Sequence, residues 1–528
     1  MARHAKSRRV SRLSPKHVRR RRAHTWLHAV VGCVTNPSGA MTLLALVATV
    51  AVLAFLPGAD AGIGGKQEQL AAVGAPAPPD RPRPRKPKPV RTTTTTTRQA
   101  TTTSVQPTAT TAAPADVGDG SAGLLSKPGP SPDIRCPAAA VDILAGQDIQ
   151  AKINASANGT TFCLRAGRHT PSTAYLDPSP GDVFIGEYGA IVDGQHRRAV
   201  SFSVRYGSRP VTVKNLIIEH FTSHGIEGAS GWTIENNEVR YNGGDGIWLG
   251  SVNRSNYVHH NNHGGMASGF GQSGVVVENN EIAFNNTDSI RDEPDAGGKM
   301  VALQGVDYHH NWVHDNYANG IYCDINCYGL NIHHNLVERN VKVGIEVEIS
   351  YNSQIHDNVL RGNGIVDSRC AEGIRCWFSD LGGILAFNSS DVRIYRNTIE
   401  DANGHGIVGR QDDRHSCDTG DPNTGRFCRG DHVVRNLQVY GNKVKAPSDS
   451  RMYQFADGKW SPFVLTGVVG PNELFGGAYN NRFYSNSYQV PSSAGLRTNW
   501  FKWIGDTAIT WSGWQSAGQD GDGGISAY

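Results

Sequence analysis

Between about residues 211 and 445 the chain repeats, and that repeat restricts its fold more than any other feature. Each unit reads I/V-x-x-N-x-I/V-x-x-N-x-x-x-G-I with variations. Examples are WTIENNEVRYNGGDGIW (Trp232–Trp248), YHHNWVHDNYANGI (Tyr308–Ile321), IHHNLVERNVKVGI (Ile332–Ile345), IHDNVLRGNG (Ile355–Gly364) and IYRNTIEDANGHGI (Ile394–Ile407). The first Asn of the unit falls at Asn237, Asn261, Asn280, Asn311, Asn335, Asn358, Asn397 and Asn442, with gaps of 24, 19, 31, 24, 23, 39 and 45 residues. The short gaps set a unit of about 23 residues, and the long ones hold insertions. Apolar residues alternate within each unit, which marks short strands. Gly and Asn punctuate the turns, where positive φ is tolerated. With no helix-length segment between strands, the pattern predicts an all-β parallel β-helix, each coil hydrogen-bonded to the next. The recurrent Asn is expected to stack at one turn.

The ends complete the domain. Gln147–Ala157 carries Ile149 and Ile153 four residues apart and predicts a short amphipathic helix that plugs one end. Trp500, Trp503, Trp511 and Trp514 predict the opposite cap. Five segments follow: a basic cytoplasmic segment (1–40), a transmembrane signal-anchor (41–57), a disordered Pro/Thr-rich linker (58–135), the β-helix (136–490) and a C-terminal cap and tail (491–528). The anchor is the apolar run Met41–Leu56, behind ten Lys/Arg in residues 1–25. Ala59-Asp60-Ala61 offers a cleavage site, so the expectation is a single-pass membrane protein with its C-terminal domain outside, or a secreted one if cut near Ala61. The linker holds six positive charges interleaved with Pro in Asp80–Arg91 and then six consecutive threonines. It cannot bury a core.

Charge separates along the chain. The formal net charge is +4, yet residues before Cys136 hold 20 Lys+Arg and 6 Asp+Glu, leaving 31 and 41 (net −10) for the rest. An acidic body argues against nucleic acid as a partner. Eight cysteines follow residue 135, an even number that suggests oxidised pairs in an exported domain. Proximity suggests Cys136–Cys163, Cys323–Cys327, Cys370–Cys376 and Cys417–Cys428, among the 105 pairings that eight cysteines allow.

The GQDIQ helix, the GTTF strand at Gly159–Phe162, IVDG at Ile191–Gly194 and the N-x-V/I coils resemble the right-handed parallel β-helix proteins of the pectate-lyase-like superfamily, over about residues 136–515. The superfamily contains lyases, hydrolases, epimerases and non-catalytic adhesins, so its fold says little about chemistry.

Candidate chemistry follows from alternation. If the Ile of each Gly-Ile points inward, an outward column runs through Trp248, then Tyr322 and Asp324, Glu346 and Glu348, Leu385 and Phe387, and Val408 and Arg410. Coils lie about 4.8 Å apart, so Asp324, Glu346 and Glu348 form a carboxylate cluster. Such a cluster needs a cation or shifted pKa values, and Ca²⁺ suits its oxygens. Trp248 and Tyr322 are candidate substrate-binding rings. The resemblance implies Lys299 as a catalytic base, Asp324, Glu346 and Glu348 as Ca²⁺ ligands and Arg410 as a charge stabiliser. The acidic stretch Asp288–Gly298 offers a lid, a second cation site or a plain surface loop. His259, His309, His333 and His356 share a coil position and predict a stacked ladder, and His405 is a further proton-transfer candidate. The expected activity is a Ca²⁺-assisted lyase or epimerase on a uronate-containing polysaccharide. Alternatives are a non-catalytic glycan-binding or structural surface protein and a glycoside hydrolase. The expected partners are an acidic polysaccharide or cell-wall glycan, and the membrane through the N-terminal segment.

Overall fold

The computed structural model describes residues 123–203, 209–268, 270–288, 297–364, 382–448, 453–454, 460–461, 464–493, 499–503 and 508–528. The basic segment, the apolar run, most of the linker, Cys370 and Cys376 lie outside them. Among the described residues no helix is long and apolar enough to cross a membrane.

Three walls of strands, parallel except for the last pair of the third, wind around a filled lumen. The first wall has 13 strands, from Val141–Ile143 to Arg482–Tyr484; the second has 13, from Gly167–His169 to Gly524–Ala527. The third is built from a four-stranded and an eight-stranded sheet. Met266 N–H→Gly297 O (3.0 Å) and Ser268 N–H→Lys299 O (3.1 Å) carry it across the junction between those two sheets. Valine and isoleucine dominate the inward positions, and Phe162, Phe184 and Phe202 stack at the first coils with centroids 5.0 and 4.9 Å apart.

The turns are set by asparagine, and in two ladders rather than one. The first runs Asn237, Asn256, Asn280, Asn311, Asn335, Asn358, Asn397, Asn442, Asn486 and ends at Asp520. The second runs Asn242, Asn261, Asn285, Asn316, Asn340 and Asn363. Asn261 therefore belongs to the second ladder, and Asn256 takes its expected place in the first. The repeat unit holds two Asn five residues apart, and HHN at 259–261 mimics HHN at 309–311. The same slip removes His259 from the histidine stack. His259 pairs with Ala283 in the second wall, whereas His309, His333 and His356 stack at 5.0 Å on the first.

Each ladder Asn satisfies buried backbone. Asn335 Nδ2 donates to Tyr308 O (2.9 Å), His333 O (3.0 Å) and Asn358 Oδ1 (2.9 Å), while its own Oδ1 accepts from Asn311 N (3.0 Å) and Nδ2 (3.0 Å). The residue before each rung is left-handed: His310 has φ 53°, His334 54°, Asp357 54° and Arg396 54°. That conformation is uncommon for a non-glycine side chain, and the amide hydrogen bonds hold it. Asp520 ends the ladder because the last rung has no following rung to donate to. Its Oδ1 accepts from Asn486 N (3.0 Å) and Nδ2 (2.9 Å), and its Oδ2 accepts from Tyr488 OH (2.7 Å) and Trp514 Nε1 (2.9 Å).

Helix α1 (Ile149–Asn154) is N-capped by Asp148, whose side chain accepts from Ala151 N, and buries Ile149 and Ile153. Helix α2 (Trp511–Ser516) buries Trp514 beside Phe483 and Phe501 at the other end. Disulfides join Cys136–Cys163, Cys323–Cys327 and Cys417–Cys428.

One boundary is corrected. Residues 123–135, expected in the linker, lie against the solenoid. Leu125 N and Ser126 N donate to Asn279 Oδ1 (2.6 and 2.9 Å), Gly129 N to Ser255 O (2.8 Å) and Ser131 N to Asn215 Oδ1 (2.7 Å). This Ser/Gly/Pro-rich strap is held by backbone bonds to the turn, which composition does not reveal.

Replacing Asn335 by Ala leaves the backbone N–H of Asn311 unmet and takes a donor from the carbonyls of Tyr308 and His333, while Asn311 Nδ2 keeps Val277 O and His309 O. The expected cost is about 3 kcal/mol, read as a lowered denaturation midpoint. Asn154→Ala, at an exposed helix end, is expected to change it by less than about 0.5 kcal/mol.

Candidate functional site

The third wall carries the candidate residues on its outer face. The strands of that wall used below are β1 (Lys299–Val301), β2 (Ile321–Asp324), β3 (Val343–Glu348), β4 (Gly382–Phe387), β5 (His405–Arg410) and β6 (Val464–Val469). Ile321, Ile345, Ile384 and Ile407 pack in the lumen. Val343, Leu385, Phe387 and Val408 form a separate apolar cluster outside it. Register aligns Lys299, Tyr322, Glu346, Leu385 and Val408 in one outward column. A second column holds Glu348, Phe387 and Arg410. Continuing the β2–β3 register by one residue sets Asp324 beside Glu348. Trp248 lies on the same wall, in register with Ala267, two coils before Lys299.

The expected residues share a wall, yet the three carboxylates turn to different partners. Lys299 Nζ is 3.0 Å from Asp324 Oδ2 and 5.2 Å from the centroid of the Tyr322 ring. Asp324 Oδ1 accepts from Ile325 N at 2.7 Å. Glu346 Oε2 accepts from Asn319 Nδ2 at 2.6 Å. Glu348 accepts from the Tyr322 hydroxyl and pairs with Arg414 Nη2 at 2.6 Å. Burial, followed by the Asp324 charge, raises the Glu348 pKa. Burial raises that of Tyr322 well above the usual phenol value, with the charges of Asp324, Glu348 and Glu346 adding to it. Asp324, Glu346 and Glu348 are all under one tenth exposed. Tyr322, expected as an open ring for a substrate, is 2% exposed with its hydroxyl engaged.

Arg414 was not singled out by the repeat, because it sits in the insertion after β5. Asn388 holds this loop by donating to Asp412 and to Arg414 O (3.2 Å), and the Cys417–Cys428 disulfide closes it. Arg410 and Arg414 both lie over the Phe387 ring, at 4.5 and 4.6 Å. A guanidinium above an aromatic face keeps its charge and a fixed position. His405 is 3% exposed, and burial, with Lys502 and Arg410 nearby, holds its pKa well below the usual imidazole value. It stands neutral near neutral pH. Of the acidic stretch, Asp288 is described, 3.7 Å from His263; Asp292, Glu293 and Asp295 lie outside the described residues.

The oxygen chemistry of the carboxylates suits Ca²⁺. As arranged, Lys299 stands at Asp324 and Arg414 at Glu348, so a cation would compete with both. Among the described residues, the acidic and histidine groups that bring three ligand atoms within 4.8 Å of one another are Asp193, Glu219 and His220. There, Arg168 pairs with both carboxylates and Arg240 with Glu219, so two guanidinium charges already offset the two acids.

Several solved structures resemble the chain. The A-module of mannuronan C-5 epimerase AlgE4 from Azotobacter vinelandii is 13% identical, with 72% of this chain and 92% of that one covered and a TM-score of 0.38. A PL6 family polysaccharide lyase from Pseudopedobacter saltans is 11% identical, with 74% and 92% covered and a TM-score of 0.30. The catalytic unit of a GH87 alpha-1,3-glucanase from Streptomyces thermodiastaticus is 15% identical, with 76% and 70% covered and a TM-score of 0.36. No curated protein matches the chain. Residues 200–380 match the family described as a right handed beta helix region, which agrees with the parallel β-helix fold that the wall order and ladders show.

Proposed function

We propose that the outer face of the third wall binds an acidic polysaccharide and removes a proton from a uronate ring, as a lyase or an epimerase does. The observation that carries this reading is Lys299 Nζ at 3.0 Å from Asp324, on one wall with Tyr322, Glu348 and the two arginines over Phe387. The C5 hydrogen of a uronate is acidic only when its carboxylate charge is offset. Arg410 and Arg414 supply fixed positive charge for that purpose. Lys299 then takes the C5 proton on Nζ. In a lyase, the electron pair forms C4=C5 as the C4–O bond breaks and the linking oxygen leaves. In an epimerase, a proton returns to C5 from the other face. A base must be unprotonated, and Asp324 beside Lys299 favours its charged form. Substrate binding must therefore loosen that pair. Ca²⁺, when bound, would supply further charge to the substrate carboxylate in competition with Lys299 for Asp324.

The second reading is non-catalytic glycan binding at an exported or membrane-tethered domain. It is favoured by the engagement of Glu346 with Asn319 and of Glu348 with Tyr322 and Arg414. The single-pass N-terminal anchor stays part of the proposal in either case.

The full-length protein is assayed on a panel of uronate polymers with Ca²⁺ and with chelator. Ultraviolet absorbance reads an unsaturated product, and proton NMR reads inversion at C5. We expect one of these signals, with a loss of at least about 100-fold in Lys299→Ala, in the range of a positioned general base. Neither signal on any polymer ends the catalytic reading. New reducing ends without unsaturation point instead to hydrolysis. Intact activity in Lys299→Ala removes the base assignment alone.

Arg414→Ala tests the Glu348 pairing by pH. A carboxyl whose folded pKa is raised contributes stability that is present below its unfolded value near 4.5 and is lost as pH rises through the folded value. Without Arg414 the folded value climbs further. The variant is therefore expected to lose about 1 kcal/mol at pH 7, a half-exposed arginine being strongly screened, and clearly less at pH 4. Thermal melts at the two pH values check this, and an equal loss at both removes the pairing argument.

A further inference from the structure

At the C-terminal end of the solenoid the walls stop unevenly. The first wall ends at Arg482–Tyr484, strand β7. The second continues from Ser487–Val490, strand β8, to Gly524–Ala527, strand β9. One strand is therefore missing from the first wall's last coil. A cavity of about 590 Å³ opens there, lined among others by Gln438, Phe475, Asn480, Arg482, Tyr484 and Trp503. That volume lies within the usual range for small-molecule sites.

Two exterior ladders run into this cavity and break off. The first is aromatic: His356, Tyr395, Tyr440 and Tyr484 stack with centroids 4.7, 4.9 and 4.9 Å apart and planes within 8° of parallel. Every inner ring is covered by a ring on each side. Tyr484 is the last, has Tyr440 on one face only, and is 37% exposed. The second is an amide row at the turn. Asn436 Nδ2 donates to Asp391 Oδ1 at 2.9 Å, and Asn480 Nδ2 donates to Asn436 Oδ1 at 2.8 Å. Among the described residues nothing donates to Asn480 Oδ1 in turn.

Charge runs alongside. Register aligns Gln354, Arg393, Gln438 and Arg482 in the column beside the rings. Arg393 and Arg482 are exposed, and among the described residues neither makes an ion pair. The nearby acid Asp522 is held by Ser485 N (2.8 Å) and the Ser485 hydroxyl (2.5 Å). A further peptide strand does not fit this edge. Phe483 N donates to Gln519 Oε1 (3.0 Å), Phe483 O accepts from Asp520 N (2.7 Å), and Ser485 N is taken by Asp522. The backbone is capped while the side-chain ladders are left open.

We propose that this cavity is a binding subsite for an anionic saccharide, separate from the Lys299 wall. A sugar ring continues the stack on the free face of Tyr484, as a flat aromatic accepts the apolar face of a ring. Asn480 Oδ1 accepts a hydroxyl. Arg482 pairs with the carboxylate or sulfate in the bidentate manner that guanidinium allows, and Arg393, two coils away in the same column, adds positive charge at longer range. The site lies on a different wall from Lys299, so it serves a polymer held by its body while another part is presented elsewhere. It stands or falls independently of what the Lys299 wall does.

The test is equilibrium binding by the full-length protein, followed through tryptophan fluorescence (Trp503 lines the cavity) and isothermal calorimetry. The probes are oligogalacturonate, oligomannuronate, a sulfated oligosaccharide and a neutral cello-oligosaccharide. Saturable binding of at least one anionic probe is expected, with the neutral one at least about tenfold weaker. Arg482→Ala and Tyr484→Ala are each expected to weaken binding about tenfold, Arg482→Lys less, and Asn154→Ala, exposed at the opposite cap, not at all. Arg482 is exposed, so its variants keep the fold and the test stands even if Tyr484→Ala does not. Equal binding of neutral and anionic probes, unchanged affinity in Arg482→Ala, an equal loss in Asn154→Ala, or no binding by any probe overturns the proposal.

Discussion

The whole solenoid depends on the side-chain amide that bonds backbone and its own copy on the next coil. A parallel β-helix must turn sharply twice or three times per coil inside a dry stack, and every turn exposes peptide groups that no strand partner can reach. Asparagine solves this with one short side chain. Its nitrogen donates to carbonyls in the turn and to the next rung, and its oxygen accepts from the rung before. Because the rung also holds the preceding residue left-handed, side chains as different as His310, Asp357 and Arg396 occupy equivalent positions. The exterior is thereby released from conformational demands. It is free to vary from coil to coil, and function resides in that variation.

Both sites discussed above are products of this freedom. On the third wall, outward positions change from Lys299 to Tyr322 to Glu346 to Leu385 over successive coils while the inward positions stay aliphatic. Charges that close cannot be left alone in a half-buried wall. The chain answers with direct pairings, Lys299 to Asp324 and Arg414 to Glu348, and the second of these comes from an insertion folded back onto the wall. At the C-terminal end the opposite logic applies. Ladders that satisfy themselves internally along their length must end somewhere. The inward one ends in a carboxylate that needs no successor, and the outward ones end in an open cavity.

Much of the architecture was legible in the residues. Period, alternation and turn composition specify a parallel β-helix, and the proximity pairing of cysteines agrees with the three disulfides described. The phase of the repeat was less legible. Two turns per coil use the same Asn, so Asn261 and His259 looked equivalent to Asn311 and His309 although they occupy a different corner. A one-dimensional pattern with an internal echo cannot show which echo it has matched; only hydrogen-bond partners in space can. The strap at 123–135 was hidden for a related reason, since its attachment uses backbone groups and leaves no trace in side-chain pattern.

By itself, the sequence determined that the chain coils, which residues line the lumen and which stand on the outer wall, because a side-chain period of two and a coil period near 23 are local properties. It placed Asp324, Glu346 and Glu348 on one face. Only the tertiary structure decided what those groups do there. Whether neighbouring carboxylates gather round a cation or turn to separate partners depends on Asn319, Tyr322 and Arg414, which arrive from other coils and from an insertion whose path no periodicity predicts. The same holds for the cavity beside Tyr484, which exists because one wall stops a strand before its neighbour, a fact about the meeting of coils in space rather than about any one of them.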